Sequence, residues 1–181
     1  MKNILIVFSI LFSSLTFSQN LYWYDVMWEV EGKDAPIVAG LIDDFYSNHP
    51  KPSNVKVAFS SIPLKGASEK ATHMLGFTSE SSKSLADFRN SLQGTDWDLY
   101  ISKMRKYVES SRASAGRDLI TNGSDTSYPI GQAWVFKTTN PKLPSMIEAF
   151  GKLIKSNNFD GFIGMGQIIH GADKGENVYI Y

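Results

Sequence analysis

The stretch from Ile130 to Tyr181 repeats, in shortened form, the order of elements carried by Tyr24 to Phe77. That repetition restricts the fold more than any single residue does. In the first copy Trp28-Glu29-Val30-Glu31 leads through Pro36 to a helix on Ile37, Val38, Leu41, Ile42 and Phe45, followed by strands over Val55 to Ile62 and Thr72 to Phe77. In the second, Trp134-Val135-Phe136-Lys137 leads through Pro144 to a helix on Met146, Ile147, Phe150, Leu153 and Ile154. Strands over Gly161 to Ile169 and Asn177 to Tyr181 follow it. Each copy reads strand, helix, strand, strand.

The chain opens with Met1-Lys2-Asn3, an apolar run from Ile4 to Phe12 and a small-residue exit to Ser18, the plan of a secretory signal peptide over residues 1–18. The apolar run is shorter than the ~20 residues a membrane-spanning helix needs, so no stable membrane anchor is expected after cleavage before Gln19. Losing Lys2 leaves 17 basic residues against 18 acidic ones, a balance that points to no nucleic acid. With no cysteine, disulfides, thiolate metal sites and cysteine nucleophiles are excluded. A secreted chain without disulfides is placed most easily in a bacterial periplasm or medium.

Residues 19–110 form the first repeat with its connecting helices, and residues 129–181 the second. Between Leu21 and Glu31 the pattern alternates, with Tyr24, Val26, Trp28 and Val30 on one face and Trp23, Asp25, Met27 and Glu29 on the other. Asp34 is the expected N-cap of the first helix, and Ser84 that of a later helix on Leu85, Phe88 and Leu92. Trp97, Ile101, Met104 and Val108 make one apolar stripe. Residues 111–128, rich in Ser, Gly, Thr and Asn, read as a long loop in which Arg112, Arg117 and Asp118 are open candidates.

The order βαββ, helices, βαββ resembles the ferredoxin-like units of the dimeric α/β-barrel superfamily, which includes antibiotic-biosynthesis monooxygenases, stress-responsive barrel proteins, haem-degrading monooxygenases and chlorite-dismutase-like proteins. The resemblance implies an α+β fold in which two βαββ repeats bring antiparallel sheets around a barrel-like core, with helices outside. It also implies that one chain supplies both halves of a cavity, with cofactor-independent monooxygenase or isomerase-like activity as the chemistry. No Asn, Trp and His set like that of the haem-degrading members maps onto this sequence, and no cofactor is expected.

Within such a cavity, His73 and Asp25 are the candidates for chemistry, and Trp28, Met74, Gln132, Trp134 and Tyr179 those for holding a small apolar or aromatic ligand. The same aromatics suit a sealed core or the contacts of a non-enzymatic envelope or interaction module, including a homo-oligomer. His49, His73 and His170 lack metal-ligand spacing. Gly161, Gly164 and Gly166 do not match a dinucleotide loop, and close strand packing accounts for them better.

Overall fold

A computed structural model describes residues 21–123, 130–159, 161–171, 173 and 175–181. Residues 1–18, the expected signal peptide, lie outside them. Among the described residues no helix is long and apolar enough to cross a membrane.

The first repeat is built as its pattern demands. Strand β1 (Tyr22–Val30) buries Trp28 and Val30 against helices, with Tyr22, Tyr24 and Val26 packed beside them, while Trp23 and Asp25 are buried on the opposite face. Helix α1 (Ala35–Asn48) starts with Pro36 in its first turn and buries Val38, Ile42 and Tyr46, one per turn. Asp34 holds the N-cap position, but its side chain caps nothing. Strands β2 (Lys56–Ser61) and β3 (His73–Ser79) complete the unit.

Two local expectations change. Helix α2 (Ser82–Ser91) is capped by Ser81, whose hydroxyl accepts from the Ser84 amide, so Ser84 sits inside the helix. The amide of the third helical residue lies within reach of the cap, and Ser81 alone has the required extended backbone. Helix α3 (Thr95–Met104) keeps only the first three residues of the apolar stripe, and Val108 instead opens a strand.

The larger correction concerns residues 111–128. Up to Asn122 this stretch is strand β4 (Val108–Asn122), fifteen residues long, paired with β1 from Val108 to Arg117 and with a strand of the second repeat from Ala115 to Asn122. Its small residues are what its neighbours require: a Cβ on Gly116 would lie 2.3 Å from the Trp23 ring and 2.2 Å from the Gln167 carbonyl. A strand paired on both edges and crossed by large side chains from its neighbours needs no apolar alternation of its own.

Strand β5 (Trp134–Lys137), helix α4 (Leu143–Ser156), β6 (Ile163–His170) and β7 (Glu176–Ile180) form the second repeat. All strands join one antiparallel sheet in the order β2-β3-β1-β4-β6-β7-β5. The repeats share an internal order, β2-β3-β1 against β6-β7-β5, and β4 is the joint between them. The fold is therefore α+β, with two ferredoxin-like βαββ units and helices on one face of the sheet.

Trp23 of β1 reaches over Gly116 of β4 and Gly166 of β6, which brings its ring centroid 5.7 Å from that of Tyr179 on β7. The helices cover the other face of the twisted sheet with two apolar clusters, a large one under α1, α2 and α3 and a small one under α4. The face that carries Trp23, the concave one, is left for the site.

Candidate functional site

Odd-numbered residues of β1 face the hollow, and the register brings partners to them. Asp25 pairs with Gly76 on β3 and Ser114 on β4, and Met27 pairs with Met74 and Arg112. Near Met27 and Glu29 the hollow widens into a cavity of about 380 Å³, walled by Glu69, Arg112, Val135 and Glu176 among others. An ion pair between Arg112 and Glu69 ties the β2–β3 loop across it, and Glu69 also accepts from the Ala71 amide at 2.8 Å. Glu29 accepts from the Ser110 hydroxyl at 2.9 Å. A second cleft, about 260 Å³, lies on the outer surface between α1 and α3, away from every concave residue.

Asp25 lies two residues along β1 from Met27, about 7 Å further into the hollow on the same face. It is 7 % exposed, its carboxylate has no hydrogen-bonding side chain among the described residues, and its charge acts on the nearby Tyr179 and Tyr181 hydroxyls. Gly76 leaves it room, since a Cβ there would be 3.1 Å from Asp25 Oδ1. Burial pushes the Asp25 carboxyl up to about 7, so it is poised to take or give a proton near neutral pH.

Beyond Asp25 the hollow is filled by rings. Trp23 contacts Tyr179, and Tyr179 stacks on Tyr181 with centroids 5.2 Å apart. Backbone bonds in both directions between Gly164 and Tyr181 fix the last ring, which lies where a Gly164 side chain would stand. Close packing thus accounts for Gly164 and Gly166. Asp118 of β4 faces the same rings, 3 % exposed, and burial raises its carboxyl to about 6. Both tyrosine hydroxyls are held above their ordinary range, by burial first and then by these carboxylates.

The structure divides the sequence candidates. Asp25, Met74 and Tyr179 share the concave face. Trp28 and His73 pair with each other on the helix side, so His73 and Asp25 lie on opposite faces and cannot form an acid–base couple. His73 stacks on Phe59 with centroids 5.2 Å apart, and its Nδ1 lies 2.9 Å from Thr72 Oγ1. Burial lowers its pKa, which keeps the ring neutral. Trp134 is half-exposed on the helix side, and Gln132 is exposed ahead of β5. Nor do the two tryptophans hold equivalent places: Trp28 pairs with the first residue of β3, Trp134 with the last of β7. Trp23 and Tyr181 were not singled out as site residues, although Trp23 has the parity of Asp25 along the strand. Asp118 stood only as a loop candidate.

No protein-family model matches the chain, and no curated protein matches it. Solved structures do share the fold. A candidate monooxygenase from Lactobacillus acidophilus superimposes with a TM-score of 0.55 at 8% identity over 89% of this chain and 75% of its own. An anthrone oxidase-like protein gives 0.60 at 10% identity, over 91% and 72%. A candidate monooxygenase from Fusobacterium nucleatum gives 0.56 at 11% identity, over 89% and 73%. The chain is thus similar in fold to dimeric α/β-barrel proteins.

Proposed function

We propose that the concave face binds a small molecule with a flat, largely apolar body and that Asp25 exchanges a proton with it. One observation carries the reading: a buried carboxyl with no hydrogen-bonding side chain among the described residues, its pKa raised to about 7, sits on the hollow's floor two residues from a residue that lines the cavity. Met27, Met74 and Val135 offer apolar contact, while Glu29, Arg112 and Glu176 at the rim orient polar substituents. Asp25 as carboxylate takes a proton from an activated C–H or O–H of the ligand, leaving its electron pair on the ligand. Return of that proton to another ligand atom is an isomerisation. Reaction of the anion with dioxygen, one oxygen atom kept and the other leaving as water with two hydrogens of the ligand, is a cofactor-independent monooxygenation.

The fold shared with a protein named anthrone oxidase-like makes anthrone a reasonable first substrate. Oxygen uptake with anthrone should fall at least about 100-fold in Asp25→Asn while binding, followed by tryptophan fluorescence, changes little. Full turnover by that variant would refute the assignment of Asp25. We further propose that residues 1–18 act as a leader for export to a bacterial periplasm or medium. Amino-terminal sequencing of exported protein should begin at Gln19.

A second reading, a non-enzymatic interaction module or homo-oligomer, is favoured by the bare edge of β5, where Trp134, Val135 and Phe136 are each more than 40 % exposed. Sedimentation of a Val135→Lys variant separates the two readings. Under the module reading it should dissociate a native oligomer.

A further inference from the structure

The cavity of about 380 Å³ beside Met27 is walled by charges of both signs, and they are placed unequally. Glu29, Glu69, Asp173 and Glu176 line it together with Lys70 and Arg112. Glu29, Glu69 and Glu176 are half-buried, whereas both cations are exposed. Arg112 is already paired with Glu69. Glu29 accepts from the Ser110 hydroxyl at 2.9 Å, and among the described residues no cation forms a salt bridge with Glu29, Asp173 or Glu176. Lys137 stands opposite Glu176 across β5 and β7 but does not line the cavity. The carboxylates come from both repeats, Glu29 from the end of β1, Glu69 from the β2–β3 loop, and Asp173 and Glu176 from the β6–β7 hairpin.

Charges partly withdrawn from water are screened less than charges on an open surface, and the walls of a hollow concentrate their field. With the carboxylates set inward and the cations outward, the potential inside is negative. Asp25, on the same face of β1 and 7 % exposed, adds a further carboxyl deeper in the hollow. An anion entering here meets uncompensated carboxylates, and a cation is drawn in. Among the described residues no group of three or more Asp, Glu or His could hold a metal ion. Carboxylates spread around a wall suit an organic cation instead, whose several N–H groups reach acceptors on more than one side.

We infer that this cavity selects ligands carrying a positively charged amine or amidine group, held between Glu29 and Glu176, and turns anions away. The inference rests on the reading that the cavity binds a small molecule with an apolar body, and it adds the charge of the polar end. It does not depend on the proton exchange assigned to Asp25.

Nuclear magnetic resonance titrations of the purified protein with benzamidinium, benzamide and benzoate, planar probes of nearly one size that are cationic, neutral and anionic, test this. Benzamidinium should bind at least about tenfold more tightly than benzamide, and benzoate more weakly than either. Raising the salt from about 0.05 M to about 0.5 M should shrink the preference. A variant combining Glu29→Gln with Glu176→Gln, shown to be folded by near-ultraviolet circular dichroism, should reduce it to about threefold or less. Equal affinity for the three probes, binding of none of them, or a preference unchanged in the double variant overturns the inference. Loss of anthrone oxidation with the probe order intact counts against the chemistry given to Asp25 alone, and loss of the probe order with oxidation intact counts against the charge selection alone.

Discussion

Asp25 and Asp118 each sit more than nine-tenths buried with raised pKa values, and this sets how stability responds to pH. A carboxyl whose folded pKa lies above its unfolded one favours folding while protonated, fully so below the usual 3.8. That contribution is lost as pH rises through about 6 for Asp118 and about 7 for Asp25. For Asp25 alone the full loss is roughly 4 kcal/mol. His73 works in the other direction, its neutral ring favoured by burial, so its share is lost as pH falls below the imidazole range. We therefore predict that the urea midpoint declines as pH rises towards about 7, levels off above it, and declines less steeply in Asp25→Asn; an unchanged slope in the variant would contradict it. The alternation of β1 placed Asp25 on one face in the sequence already. What faced it was not legible, because Gly76, Ser114 and Tyr179 arrive through the register and curl of other strands.

At the scale of elements, helices were legible and β4 was not. Helix α1 announces itself through Pro36 and one buried side chain per turn, whereas β4 is composed of residues selected for their smallness beneath Trp23. A substitution tests that account directly. Gly116→Ala puts a methyl group 2.2 Å from a backbone carbonyl that cannot rotate away, and we expect a loss of about 3 kcal/mol or more in urea denaturation. Gly32→Ala meets nothing within 4 Å and should stay within about 0.5 kcal/mol of the parent. The helix cap gives a second comparison. Ser81→Ala removes the acceptor of the Ser84 amide and should cost about 1 kcal/mol, while Ser84→Ala loses only an exposed contact from Asn54 and should cost about half that or less. Equal effects from both serines would place the cap at the wrong residue.

Across the whole molecule, the repeat made the two-unit order legible from the sequence, but it hid how unequal the units are. Among the described residues the first packs thirteen buried side chains around α1, α2 and α3, while the second has Phe150, Met165 and Val178 around α4. Apolar burial is the main source of local stability, so the second unit should open at a lower free energy. Its boundary is β4, whose ladder to β1 belongs to the well-packed side and whose ladder to β6 carries two register shifts. β5 is weaker still, four residues long, paired on one edge by β7 and exposed at every position. Hydrogen–deuterium exchange followed by mass spectrometry should therefore show β5 and α4 exchanging first, β6 and β7 next, and β1 and β3 last. Loss of Phe150, as Phe150→Ala, should deepen that order by raising exchange in α4, β6 and β7 while leaving β1 and β3 protected. If Phe150→Ala instead speeds exchange equally in β1 and β3, the two units unfold as one, and β4 transmits stability rather than dividing it.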